Sequence, residues 1–338
     1  MRRRIRAGRA YRAELARRLG GPGPTVVRTA DGVALHVEVD GAPDAPVVVL
    51  FSHGFTARLE EFDLQRAALR DRATLVLYDQ RGHGRSGWDD VRRATIDQLG
   101  DDLGRVLDWV HAEVAGGRPV VLVGHSMGGM SIMSLCNQQP GRLSGAGSGS
   151  IAGLGLIAAS AAPEPDDPLW KVVRPLRRLG LLRLYLGLLQ LLAPALEAVR
   201  RRGTRGGRLL TRRLLFGRDD VRDDWVDEVQ AMLEETPLTI TAAFYATFID
   251  HDDTAVLPSL GQVPVVVVVG TDDRLTPLAA NQRIAREAGP SAELVVEPGV
   301  GHSINLTRAA TTDAALGRLL DRVLDRAGAG GATAASAG

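Results

Sequence analysis

The segment Gly124-His125-Ser126-Met127-Gly128-Gly129 sets a serine among small residues directly after the apolar run Val120 to Val123. A G-x-S-x-G pattern between a buried strand and a helix is the sequence form of a nucleophile elbow, a turn that forces the serine backbone into strained geometry. Gly124, Gly128 and Gly129 leave the room such a turn needs. The helix running on through Met130 to Gln138 would aim its free N–H groups and positive dipole end at the serine oxygen. A serine hydroxyl is a weak nucleophile. It needs a base to take its proton and a third group to orient that base.

Both partners are expected later in the chain, acid before histidine. Gly270-Thr271-Asp272-Asp273-Arg274-Leu275-Thr276-Pro277 follows the apolar run Val265 to Val269, and Gly299-Val300-Gly301-His302 follows the last one. Both loops would lie at the carboxyl edge of a parallel sheet. The residues therefore point to Ser126, one of Asp272 and Asp273, and His302. The neutral His302 imidazole would take the Ser126 proton, and the acid would hold the other ring nitrogen. His36, His111 and His251 read as structural or surface groups, whereas His53, His83 and His125 stand in other strand-end loops and should shape the site. Acyl chemistry also needs donors for an oxyanion. The Met127 N–H beside the nucleophile is one. The second should come from Ser52-His53-Gly54-Phe55-Thr56, where Phe55 holds the donor position of this pattern and can also line the pocket.

The elements that must position these groups are legible as short apolar runs separated by helical stretches. Thr25 onward predicts a strand, an Asp31-Gly32 turn and a second strand alternating Val33, Leu35, Val37 and Val39. Val47 to Phe51, Thr74 to Tyr78, Val120 to Val123, Ile151 to Ala159, Val265 to Val269 and Leu294 to Val296 follow. Nearly continuous apolar strands are expected where helices cover both faces of a parallel sheet. Thr95 with Gln98 predicts a capping box opening a helix that runs to Val114.

Taken in order, His53-Gly54-Phe55, Asp79-Gln80-Arg81-Gly82-His83-Gly84-Arg85-Ser86, the elbow, Gly270-x-x-Asp273-x-x-x-Pro277 and Gly301-His302 resemble the α/β-hydrolase superfamily, in its esterase, lipase and cofactor-free haloperoxidase-like branch. The resemblance spans about residues 25–326. It implies a mostly parallel eight-stranded α/β sheet flanked by helices, with a helical cap inserted after the sixth strand. It also selects Asp273 over Asp272, because the family's acid stands three residues after the glycine and four before the proline. Epoxide hydrolases and haloalkane dehalogenases carry Asp where this chain has Ser126, which sets those branches aside. No cofactor or metal is expected. No His/Cys/carboxylate cluster has ligand spacing, and Gly145-x-Gly147-x-Gly149 precedes a strand instead of joining a strand to a helix.

Between Pro163 and about Pro237 the strand signal stops, and the sequence is helical, Leu-rich and Arg-rich. From Lys171 to Arg218 thirteen Lys and Arg face one acid, Glu197. The Leu179 to Leu192 run is expected to line an apolar acyl or alcohol pocket in part and to pack the cap in part. Leu186, Phe244, Phe248, Phe55 and His125 are the expected substrate contacts; Trp170, Trp225 and Tyr245 are further pocket candidates, and aromatics such as these, Phe244 and Phe248 included, are more often core. The expected organisation is a basic segment 1–24, a core 25–162, a cap 163–236, a core 237–326 and a disordered Ala/Gly/Ser tail 327–338.

Composition narrows the function classes. Over 338 residues, 41 Lys+Arg against 40 Asp+Glu argue against a dedicated nucleic-acid binder. The single Cys136 cannot form an internal disulfide. No stretch reaches the length of a membrane span, since Leu184 to Leu196 ends at Arg183 and Glu197. A cytoplasmic protein is expected. Its Arg-rich N-terminus, with Tyr11, Leu15 and Leu19 on one helical face, reads as a solvated leader or as a peripheral contact with anionic lipid. The expected activity is a serine hydrolase for esters of lipophilic small molecules. Thioesterase, lactonase, carbon–carbon hydrolase and perhydrolase activities, or a receptor or cyclase on the same fold, are the alternatives.

Overall fold

The computed structural model describes residues 25–144, 149–164, 205–217 and 221–335, together with scattered positions between 175 and 197. The expected basic segment 1–24, Trp170 and Leu186 lie outside the described residues.

Eight strands form one sheet: β1 (Thr25–Arg28), β2 (Ala34–Gly41), β3 (Val48–Ser52), β4 (Thr74–Tyr78), β5 (Val120–His125), β6 (Gly153–Ile157), β7 (Val265–Gly270) and β8 (Ala292–Glu297). Their order is β1-β2-β4-β3-β5-β6-β7-β8. The pairs β1–β2 and β2–β4 are antiparallel and all others parallel. The named helices are α1 (Asp63–Leu69), α2 (Ile96–Val110), α3 (Met127–Gln138), α4 (Arg205–Leu215), α5 (Asp223–Glu235), α6 (Leu238–Asp250), α7 (Leu257–Leu260), α8 (Leu278–Ala288), α9 (Ile304–Thr307) and α10 (Ala309–Ala335). Helices α4 to α7 lie in the connection from β6 to β7, so the helical insertion follows the sixth strand as expected.

Alternation of side chains across a strand explains the apolar runs. Val48 and Leu50 of β3, with Val265 and Val267 of β7, pack with Leu103, Val106 and Ile132 of α2 and α3 on one face. Val47, Val49 and Phe51, with Val266 and Val268, pack with Leu69, Leu316, Leu319 and Val323 of α1 and α10 on the other. Each run is therefore buried twice.

Two local expectations need correction. Thr95 caps α2 by accepting from the Gln98 N–H at 3.1 Å, but the Gln98 side chain turns to Asp102 instead of back to Thr95, so only half of the capping box forms. The α-helix stops at Val110 and continues as a π-helical turn over His111–Ala115. The tail expected to be disordered from residue 327 instead extends α10 to Ala335. Ala is the strongest helix former, and Ala327, Ala329, Ala332, Ala334 and Ala335 outweigh the intervening glycines at the end of an established helix.

Candidate active site

Ser126 occupies the turn from β5 into α3 with φ 51° and ψ −117°, a region that L-residues enter only under constraint. The constraint is visible on either side. A Cβ on Gly124 would come within 2.5 Å of the Gly128 carbonyl, and one on Gly128 would collide with the Ser52 carbonyl oxygen. The elbow is thus pressed against the end of β3, the strand that leads into His53-Gly54-Phe55. The Gly129 and Met130 N–H groups turn back onto the Ser126 carbonyl at 2.9 and 3.1 Å, while Met127 N–H, at the head of α3, finds no backbone acceptor among the described residues. Phe55 N–H is likewise without one.

The acid and base loops meet at the carboxyl ends of β7 and β8. Asp273 and His302 are both buried, and His302 Nδ1 donates to Asp273 Oδ2 at 2.8 Å. Of the Asp272-Asp273 pair, Asp273 carries this bond. Its other oxygen accepts from the Leu275 and Thr276 N–H groups, each at 2.9 Å, and the Thr276 hydroxyl lies 2.8 Å from Oδ2. Burial pushes the Asp273 carboxyl up, but the neighbouring His302 and these donors outweigh it and hold it below the usual carboxylate range. The base loop is braced by the insertion: Ser303 N–H donates to Leu215 O at 2.9 Å, and Gly217 bridges to Val300.

The residue before Ser126, His125, contacts the His302 loop. The His125 ring lies 4.8 Å from the His302 ring, and His125 Nε2 donates to the His302 carbonyl oxygen at 3.0 Å. The Ser126 hydroxyl itself makes no side-chain hydrogen bond among the described residues. In uncomplexed enzymes the nucleophile–base contact is often looser than in the reacting complex.

His53 and His83 support the site from behind Phe55. His53 Nε2 accepts from Gln80 N–H at 2.9 Å, so the other nitrogen is protonated and donates to the Gly54 carbonyl at 2.7 Å. His83 donates from Nδ1 to Arg81 O at 2.9 Å, and burial beside His53 pushes its pKa down to about 3, so it is neutral. Cys136, the single thiol, is buried and pushed up to about 12 by that burial, which makes it a poor nucleophile.

Three of the expected substrate contacts converge. Phe55 meets Phe244, Tyr245 and Phe248 of α6 edge to face, with centroids 6.2, 5.5 and 5.0 Å away. Met127 and Trp88 belong to the same apolar cluster. Trp225 does not join it; it packs with Phe216, Val221 and Val226 and lies under Arg222. His125 was expected among the substrate contacts, but its ring is buried with both nitrogens directed at protein oxygens. Sequence reasoning missed Glu61, Gln80 and Thr276. Glu61 stands beside Glu60 with nothing in the local pattern to separate them, whereas Thr276 lay within the quoted acid loop and carried a readable signal, a hydroxyl three residues after the acid. A charged cleft of about 440 Å³, lined by Asp31, Arg93, Asp101, Arg105, Asp108 and Arg142, shares no residue with this site.

A profile of the alpha/beta hydrolase family matches residues 48–315. The chain is 29% identical over 305 residues to a Caulobacter sp. protein that carries the name carbamate hydrolase RutD, covering 85% of this chain and 95% of that one. It is 32% identical over 117 residues to 3-oxoadipate enol-lactonase 1 of Acinetobacter baylyi; that match spans 35% of this chain and only 41% of the relative. Among solved structures, a thermophilic esterase from Thermogutta terrifontis superposes with a TM-score of 0.67 at 24% identity, over 89% of this chain and 99% of its own. The match of that profile over most of the chain, together with the eight-stranded sheet, makes this protein a member of the alpha/beta hydrolase family.

Proposed function

We propose that the chain is a serine hydrolase that cleaves carboxylic esters of small lipophilic molecules through an acyl-enzyme. The observation that carries the reading is the buried Asp273–His302 pair, 2.8 Å apart, at the same sheet edge as a serine in strained backbone geometry. Ser126 Oγ attacks the ester carbonyl carbon and its proton passes to His302 Nε2. Asp273 holds His302 in the tautomer that leaves Nε2 free and stabilises the imidazolium that forms. The negative charge on the carbonyl oxygen is received by the Phe55 and Met127 N–H groups, which have no backbone acceptor among the described residues. His302 returns the proton to the departing alkoxide. Water then attacks the acyl carbon, gives its proton to His302, and Ser126 is released with the carboxylic acid.

Phe55 and Phe248, backed by the buried Phe244, would form the apolar wall against the substrate, and the helical connection between β6 and β7 would supply the cap. A lactone carbonyl would meet the same groups, and likeness to an enol-lactonase favours this as the second reading. No helix among the described residues is long and apolar enough to cross a membrane; a cytoplasmic location is part of the proposal. The Arg-rich segments would add at most a peripheral contact with anionic lipid.

The test is hydrolysis of p-nitrophenyl esters of graded chain length by wild type and Ser126→Ala. Turnover lost in the variant and peaking at one chain length supports the reading. A folded wild type without turnover on any ester, but active on lactones or carbamates, moves it to those bonds.

A further inference from the structure

Glu61 and His125 lie between the two loops that the proposed mechanism uses, and nothing in that mechanism employs them. Glu61 Oε2 accepts from the Gly54 N–H at 2.7 Å, one residue before Phe55. Its Oε1 lies 2.9 Å from His125 Nδ1, off the line of the ring N–H, so this contact is held by charge more than by an aligned hydrogen bond. His125 Nε2 in turn lies 3.0 Å from the His302 carbonyl oxygen. The path Gly54–Glu61–His125–His302 therefore runs from one loop to the other, next to Ser126. A Cβ on Gly54 would come 2.8 Å from His125 Nδ1 and 3.3 Å from Glu61 Oε1, so the path also needs the glycine of His53-Gly54-Phe55.

We infer that His125, held between the Glu61 carboxylate and the His302 carbonyl, is a positioning residue that ties the Phe55 loop to the His302 loop. The inference rests on the serine-hydrolase reading above. Both ring nitrogens face oxygens that can only accept, a carboxylate and a backbone carbonyl. A neutral imidazole carries one N–H and would turn a lone pair toward one of them; the imidazolium gives an N–H to the His302 carbonyl and sets its positive charge beside the Glu61 carboxylate. The electrostatics agree. Burial alone would strip the proton, but Glu61 at contact, the His302 carbonyl and, farther off, Asp273 raise the His125 pKa above the usual imidazole range. Glu61 is correspondingly held low against its own burial by His125 and the Gly54 N–H. The charged and titratable groups facing the pair are thus Glu61, His302, Asp273 and His53. Because the folded pKa of His125 is raised, the tie is intact below the unfolded value of about 6.5 and is lost as pH rises through the folded value.

The experiment measures p-nitrophenyl butyrate hydrolysis from about pH 6 to about pH 10, read at the isosbestic wavelength of the product. Wild type, Glu61→Leu and Glu61→Gln are compared, with fluorophosphonate labelling of Ser126 in each and folding checked by circular dichroism. Wild type should lose activity along an alkaline limb. Glu61→Leu should lower kcat about tenfold to a hundredfold, the cost of slight misplacement, with KM within about twofold. Glu61→Gln supplies an amide N–H to a neutral His125 while still accepting from Gly54. It should recover most of that loss and no longer show the alkaline limb. A wild-type rate that stays flat, an alkaline limb unchanged in Glu61→Gln, or an unaltered kcat in Glu61→Leu overturns the inference. If Glu61→Leu does not fold, the pH profile of Glu61→Gln alone decides. Wild type that is neither labelled nor active overturns the serine-hydrolase reading itself, and the inference with it.

Discussion

The sheet edge and the connection between β6 and β7 are built on opposite terms. At the edge, backbone meets backbone: the Ser126 turn is wedged against Ser52, and Asp273 accepts two backbone N–H groups. In the connection, large apolar side chains stand in solvent, with Leu179, Leu184 and Leu191 exposed by 72%, 70% and 76%. The edge is held by backbone contacts, whereas these leucines of the connection present their side chains to solvent. Reaction chemistry needs fixed positions and can be carried by backbone geometry; selectivity needs only surface of the right polarity.

That contrast can be broken or sharpened by substitution. Ser126→Ala should lower ester kcat about 10⁵- to 10⁶-fold, read by p-nitrophenyl ester turnover and by loss of fluorophosphonate labelling. Ser126→Gly should be equally inactive yet more stable by about 1 kcal/mol in urea unfolding, because glycine accepts φ 51° without strain. An unchanged or lowered stability would deny that the elbow stores strain.

Asp273→Asn should cost about 10⁴-fold in kcat by presenting the wrong partner to His302. It also has a pH signature. The folded carboxyl is held below its unfolded value of about 3.9, so its contribution to stability is present above that pH and fades as pH falls through the folded value. The stability difference between wild type and Asp273→Asn should therefore close on acidification; a constant gap would point to packing instead of charge.

Phe244, fully buried in the cluster beneath Phe55, should cost about 3–5 kcal/mol as Phe244→Ala, measured by thermal or urea unfolding. Phe248→Ala, at the partly exposed side of the same cluster, should cost less and move the preferred ester chain length. At the small end, Leu179→Ser and Leu184→Ser should leave stability within about 0.5 kcal/mol. A large loss at either position would mean that the connection is packed as tightly as the edge.

Much of the site was legible before any coordinates. Gly124 and Gly128 could be read because a strained turn demands small residues at that spacing, and the Asp272-Asp273 pair and His302 because both stand in loops that follow apolar runs; the family resemblance picked Asp273 from the pair. The apolar runs marked the strands because burial on two faces leaves no polar alternation. The half-formed capping box at Thr95, the helix through the Ala/Gly tail and the role of Glu61 could not be read this way. Each depends on which neighbour a side chain chooses, or on a helix already nucleated by packing elsewhere.

The amino-acid order by itself pointed to the sheet and the strained turn at Ser126, which rest on periodic burial and on local backbone sterics, and it narrowed the expected acid to Asp272 or Asp273, between which the family resemblance chose. Tertiary structure alone decided that His125 turns onto Glu61 and the His302 carbonyl, and that Phe55 meets the α6 aromatics edge to face. Such choices are made between residues dozens to hundreds of positions apart, where contact is set by how the helices pack on the sheet and no local pattern records it.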